Sequence, residues 1–597
     1  MGFRLLRSKL PVTKSPYKIL FAPLTPSSFI SHRIISRSFH STITNSIDIS
    51  NPQPPNSFRR SANYQPCIWN YDYIQSLTND YKGDSYNARV HKLILEVSMM
   101  LKEMADVGEK LDLIDSIQRL GISYHFDNEI SSTMKYVSDN YYNNGTLIRK
   151  DLYGAALEFR LLRQYGCYVS QEVFKNFMEE WSFKSCQSED TWGMLSLYEA
   201  SYLSVPDEAI LYEVQNFTTE HLRKYMKKEN NINEYLRMLV EHALELPLQW
   251  RIQRVEARWF IDAYKKKLNM NSIVLELAKL DFNIVQATHQ EELKHGSRWW
   301  MNMNFHKKVT LFRDRLMEIF FFTIGIMYEP QFGYYREIMT KVSSLITILD
   351  DIYDVYGTLD EIKLFTQIVN RWDINAIGQL PDYMKICFVG LYNTINEIVF
   401  NNLKEQEINI VPQLKQLWAD YCESESLEAR WFYEQYIPSL EEYLENAWVS
   451  ISGPLILMHI HILMKPITKG ESQSIVHYPK IIRLSSIIFR LMDDLATSSA
   501  ELERGDVSKS IQCYMHEAKV SEEDAREHIK YLVKETWKMM NEERLTNNLM
   551  SKTLYENAMN VARIAQCMYL HGDGFGVPDA ATKDHVLSLI IQPFTDV

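Results

Sequence analysis

The chain has 597 residues, 46% of them hydrophobic, and a net charge of −12 from 64 basic and 76 acidic side chains. That length and apolar content support a large core in more than one domain, and an acidic chain without a basic patch in its body argues against a nucleic-acid partner. Its seven scattered cysteines form no CxxC pair and no zinc-type spacing, which points to a reducing compartment without a structural metal. No run of about 18 or more apolar residues marks a membrane span.

Residues 1–50 differ from the rest. They carry Arg4, Arg7, Lys9, Lys14, Lys18, Arg33 and Arg37, are rich in Ser and Thr, and reach their first acidic residue only at Asp48. This is the composition of an organellar transit peptide; lysines interrupt the apolar stretch a secretory signal would need. The alternative is a disordered basic tail. The segment NPQPPNS at 51–57 reads as the linker that ends it.

Beyond the linker the periodicity is helical. VHKLILEVSMMLKEMADVGEKLDLIDSIQRL repeats apolar residues every three to four positions, and Gly and Pro number only 20 and 19 in the chain. Alternating strand patterns with Asn-Gly or Asp-Gly turns are not evident. The predicted fold class is all-α, and no repeat of fixed period suggests a solenoid.

Three stretches carry chemistry. LFRDRL supplies Arg313 and Arg315. SSLITILDDIYDVYG, residues 343–357, ends an apolar helix in aspartates: Asp350 and Asp354 share one helical face, and Asp351 is turned about 100° away. In IIFRLMDDLATSSAELERGDVSKS, Asp493, Thr497 and Glu501 fall at i, i+4 and i+8 on one face, with Arg490 a turn before and Lys509 in the loop after. Oxygen-only ligands suit a hard cation such as Mg2+ or Mn2+, which often binds substrate phosphates. Arginine and lysine beside such ligands point to a diphosphate. For DDIYD alone, the alternative is a solvated acidic helix end. Phe320, Phe321, Phe322, Trp448, Tyr569 and Phe575 are candidates for a hydrocarbon pocket whose aromatic faces stabilise a cation. The alternative for each ring is core packing.

DDIYD and DDLATSSAE resemble the two metal motifs of class I terpene synthases, and RDR at 313–315 sits where that family has its Arg-x-Arg element. LIDSIQRLGISYHF, ALEFRLLRQYG, LPLQWRIQRVEARWFI, PSLEEYLENAWVSISGP and RGDVSKSIQCYM extend the likeness to plant members over nearly the whole chain after the leader. FRRSANYQPCIW, with Arg59 and Arg60 ahead of Trp69, is similar to the RRx8W element of angiosperm monoterpene synthases.

The resemblance implies two helical domains: an inactive class II-like α-barrel over 51–280, with a strand at 59–69 capping the active site, and a catalytic class I domain over 281–597. No DxDD precedes residue 280, so ionisation by metal rather than alkene protonation starts the implied reaction. Asp350, Asp354 and Asp351 would bind two Mg2+ (or Mn2+), and Asp493, Thr497 and Glu501 a third. Arg313, Arg490 and Lys509, with Asp350 and Asp354, would hold the diphosphate of geranyl diphosphate. Arg59 and Arg60 would serve the isomerisation before cyclisation, with Phe322 and Tyr569 steering the cation. The expected products are cyclic or acyclic C10 terpenes, made in the plastid stroma rather than the mitochondrion by a monomer or weak homodimer. The chain departs from the family pattern at Phe322, where many relatives have Trp, which enlarges the pocket and bears on the product, and at Ser508, which replaces a common Pro and makes the loop bearing Lys509 less rigid. YCESESLEARWF is also more acidic than its usual counterpart. The alternatives are a sesquiterpene synthase using farnesyl diphosphate, a chain-elongating prenyltransferase, and a catalytically silent helical scaffold.

Overall fold

Asn and Asp side chains open many of the helices that the periodicity predicts. Asp106, Asp151, Asp190, Asn233 and Asn271 each accept a hydrogen bond from a backbone N–H of the first turn, satisfying donors that a helix start leaves unpaired. The computed structural model describes residues 65–596 apart from 180–181, 184–189, 229–232, 306–311, 465–475, 504–505, 548–550 and 578–579. These residues fold almost wholly into helices. The one departure among them is a small antiparallel pair, Met178–Glu179 with Ser182–Phe183.

Among the amino-terminal helices, Leu152–Gln164, Thr191–Ser201 and Ala209–Met226 pack successively on one another. Ser272–Met303 then runs unbroken for 32 residues, about 48 Å at helical rise. It contacts both Asp84–Glu103 and Gly333–Asp350, so it belongs to both halves. The domain boundary expected at 280/281 falls inside this helix, whose Asp281 accepts a hydrogen bond from Tyr124 Oη at 2.5 Å. Its buried polar face also receives the carboxy terminus: Asn283 exchanges two 2.8 Å hydrogen bonds with the backbone of Phe594, and Gln290 Nε2 donates to the Ile590 carbonyl. Periodicity treats these buried amides as errors, yet each satisfies backbone groups left by the irregular tail.

In the carboxy-terminal half, Leu316–Ile326, Gly333–Asp350, Val411–Glu434, Leu440–Ser450, Lys480–Glu503 and Lys552–Tyr569 surround a central cavity. Lys480–Glu503 and Lys552–Tyr569 pack along much of their length. No single described helix is long and apolar enough to cross a membrane; the bent pair Leu440–Ser450 and Gly453–Met464 reaches that composition only jointly, across a 42° bend. The bend sits at Ser452, a non-glycine residue at φ 67°. Such backbone is costly and persists where the surroundings enforce it, and Ser452 lines the cavity.

Gly453 lets this bent helix lie directly on Lys480–Glu503, because a Cβ there would stand 2.3 Å from Ser486 Oγ and 3.0 Å from its Cβ. Gly453→Ala is expected to destabilise the protein by about 1–3 kcal/mol through overpacking, read as a lower Tm. An unchanged Tm would show that the two helices can separate without cost.

Candidate active site

The cavity measures about 220 Å3 and has two chemically distinct ends. One is charged. The helix Gly333–Asp350 passes into a π-helical turn at Asp351–Tyr356, a widening often found at functional sites. Asp350 and Asp354 line the cavity from there, and oxygen atoms of Asp350, Asp354 and the buried Glu425 lie within 4.8 Å of one another. Asp493, Thr497 and Glu501 line the same cavity from Lys480–Glu503.

Burial dominates the acid–base character of this end. It pushes Asp354 well above the usual carboxylate range, reinforced by Asp506 and Asp350. Burial, with Asp354 and Glu428 adding to it, does the same to Glu425, and burial raises Asp506 to about 6 despite Lys509. Closely spaced carboxylates away from water resist ionising together, and a cation relieves both burial and repulsion. The donor set contains only oxygen, which fits a hard divalent cation.

Three basic residues border the same end. Arg313 forms ion pairs with Asp350 and, through Nε at 2.7 Å, with Asp351. Its backbone N–H also donates to Asp351 Oδ2 at 2.9 Å. Arg490 pairs with Asp493 and with Asp494, the latter at 2.7 Å. Lys509 lies 3.8 Å from Glu428 and 4.0 Å from Glu501. Burial alone would lower the Lys509 pKa, but Asp506, Glu501 and Asp354 hold it well above its ordinary value, so the ammonium stays charged.

The other end is apolar and aromatic. Phe322 stands 5.5 Å from Phe489, ring centre to ring centre, and Phe489 stands 6.3 Å from Tyr569. With Ile319, Ile346, Ile456, Met568 and Phe575 they form the cavity wall. A charged end that holds anions through cations, joined to a closed hydrocarbon end, suits a diphosphate ester with an apolar chain.

Two family models match: the terpene synthase amino-terminal domain over residues 68–244, and the terpene synthase family metal-binding domain over residues 301–539. The chain belongs to the terpene synthase family. It is similar to (-)-alpha-terpineol synthase of Vitis vinifera, at 53% identity over 90% of this chain and 91% of that one. It is also similar to a chloroplastic myrcene synthase of Quercus ilex, at 49% identity over 98% and 97%. Among solved structures, limonene synthase with 2-fluorolinalyl diphosphate superposes with a TM-score of 0.87 at 43% identity, covering 90% of this chain and all of that one.

In this terpene synthase, Asp350, Asp354, Asp493, Thr497, Glu501, Arg313, Arg490, Lys509, Phe322 and Tyr569 all line one cavity. Asp351 does not line it; the carboxylate is committed to Arg313, and burial raises its pKa to about 6. Arg59 and Arg60 lie outside the described residues, as does most of the expected strand at 59–69. Gln65–Trp69 is irregular, but Gln65 reaches the cavity and Trp69 Nε1 donates to Glu318 at 3.1 Å. Trp448 packs on Tyr478, Phe321 stacks on His585, and Phe320 meets His289, so these three are core residues.

The motif reading missed Glu425, Phe489 and Asp494. Glu425 sat in the acidic stretch YCESESLEARWF, whose excess charge was the available signal. Asp494 carries no exposed surface: its carboxylate takes hydrogen bonds from Tyr443 Oη at 3.1 Å and from the Ser510 backbone at 3.0 Å, beside its ion pair with Arg490. It ties the metal-motif helix to the loop bearing Lys509. Asp494→Asn is expected to cost about 3–5 kcal/mol, the penalty for breaking a buried pair, measured by denaturant unfolding. A change below 1 kcal/mol would show that Arg490 finds compensation elsewhere.

Proposed function

We propose that this terpene synthase is a plastid monoterpene synthase that ionises geranyl diphosphate, with Mg2+ or Mn2+, to cyclic or acyclic C10 terpenes. The observation that carries the reading is the pairing, in one cavity, of two oxygen-ligand sets and three basic side chains with an aromatic hydrocarbon wall. The basic leader, and a likeness to a chloroplastic myrcene synthase that extends over 98% of the chain, support the plastid. Similarity to alpha-terpineol, myrcene and limonene synthases supports C10 chemistry. The chain divides functionally near residue 280, the amino-terminal helices supporting the catalytic ones.

Asp350, Asp354 and Glu425 would hold cations on one side and Asp493, Thr497 and Glu501 on the other, three ions being the expected complement. Bound there, the cations supply the positive charge that stabilises a departing diphosphate. Arg313, Arg490 and Lys509 grip the diphosphate oxygens, and Asp351 fixes Arg313. The allylic C–O bond breaks with its electron pair leaving on the diphosphate. The cationic chain lies against Phe322, Phe489 and Tyr569, whose faces stabilise it by about 2 kcal/mol or more when desolvated. Proton loss or water capture ends the reaction. Arg59 and Arg60 act in the isomerisation that precedes ring closure.

The protein from Arg59 onward is expected to convert geranyl diphosphate to volatile C10 products, identified by gas chromatography–mass spectrometry, and to stop when EDTA removes the metal. Farnesyl diphosphate turnover instead would favour a sesquiterpene synthase, and silence with both from a folded protein a binding scaffold.

Asp350→Ala and Glu501→Ala are expected to lower kcat by about 10^3-fold or more while leaving the circular dichroism spectrum unchanged. Arg60→Ala should suppress cyclic products more than acyclic ones. Full activity in Asp350→Ala would refute the cation assignment.

A further inference from the structure

Two stretches distant in sequence form one wall of the cavity: Gln65 from the amino-terminal segment, and Asp573, Phe575, Gly576 and Val577 from the loop after Lys552–Tyr569. A single side chain joins them. Arg315, only 2% exposed, donates from Nη2 to the Gln65 carbonyl at 2.8 Å and to the Gly576 carbonyl at 2.7 Å, and from Nη1 to the Asp314 carbonyl at 3.0 Å. All three bonds go to backbone, whereas Arg313 two residues earlier spends its guanidinium on carboxylates.

Burying a guanidinium is costly unless its donors are used. Both bridging bonds leave one nitrogen, Nη2, whose two hydrogens are held in the rigid guanidinium plane and so aim at two acceptors in fixed directions, which a freely rotating ammonium does not do. The bond from Trp69 Nε1 to Glu318, one turn into the helix that Arg315 precedes, anchors the same amino-terminal segment a second time. Arg315 itself does not line the cavity.

We infer that Arg315 is a positioning residue that seals the cavity wall against water by clasping Gln65 to Gly576, and so sets how much of the carbocation is quenched as alcohol. The inference rests on the monoterpene synthase reading. Where the wall opens, a water oxygen forms a C–O bond with the cation and gives its proton to the released diphosphate. Where it is sealed, the cation gives a proton from a carbon beside the cationic centre to the released diphosphate, the C–H electron pair forms the double bond, and the product leaves as hydrocarbon.

Arg315→Lys keeps the charge but is shorter and lacks the rigid plane that aims two hydrogens of one nitrogen at both carbonyls. With geranyl diphosphate and Mg2+ in H2 18O, this variant is expected to raise the alcohol-to-hydrocarbon ratio about threefold or more, with 18O in the alcohol. KM should stay within about twofold while kcat falls, since no substrate contact is removed. By hydrogen–deuterium exchange, residues 67–69 and 573–577 should lose protection together by about tenfold, the loss of one charge-assisted bond, while Lys480–Glu503 is unchanged. Trp69→Phe should shift the same two readouts in the same direction, and it decides the matter if Arg315→Lys does not fold. An unchanged alcohol ratio with local opening, or exchange raised uniformly across the catalytic helices, would overturn the inference. A wild-type protein making no C10 product would instead refute the proposed function, and exchange would still report whether Arg315 clasps the two segments.

Discussion

Everything in the catalytic half is arranged around one electrostatic problem: several carboxylates face each other in a space with little water. Oxygen atoms of Asp350, Asp354 and Glu425 stand within 4.8 Å of one another, and Asp493 and Glu501 line the same cavity. Desolvation and mutual repulsion both disfavour their ionised forms. Arg313, Arg490 and Lys509 offset part of that cost, and divalent cations offset the rest. Protonation is the other way to relieve that cost, since burial raises the pKa of Asp354 and Glu425, so cation binding is coupled to the release of protons.

The hydrocarbon end follows from the same geometry. Helices that bring acids to one end of the cavity must place their next turns along its wall, and those turns are apolar: Ile346 two turns before Asp354's segment, Phe489 one turn before Asp493. Phe322 meets Phe489 in that wall, ring centres 5.5 Å apart. Ser452, held at φ 67° where the bent helix turns, adds a fixed polar edge to the cavity.

Much of this was legible in the sequence because the signals are local. Apolar residues at helical spacing gave the helical class, and DDIYD and DDLATSSAE placed their acids by register alone. The two-residue strand pair escaped notice because it carries no alternation. Glu425 escaped because a carboxylate on the middle of a long helix reads as a solvated face until a distant helix packs upon it. Asp494, Phe489 and Arg315 are cases of one kind: the sequence shows residue type, but only packing shows whether an acid meets a cation, a ring meets the cavity, or an arginine meets carboxylates or carbonyls. A regular helix at 351–356 was the natural expectation; the structure has a π-helical turn there, with Asp351 spent on Arg313 while Asp350 and Asp354 reach the cavity.

We propose that both oxygen-ligand sets act on one bound diphosphate. A crystal structure with Mn2+ and a thiolo analogue of geranyl diphosphate, the ions located by anomalous scattering, tests this. Manganese peaks are expected beside Asp350 and Asp354 and beside Asp493, Thr497 and Glu501, with the diphosphate between them in contact with Arg313, Arg490 and Lys509. Manganese on one wall only, or the diphosphate bound outside this cavity, would contradict it.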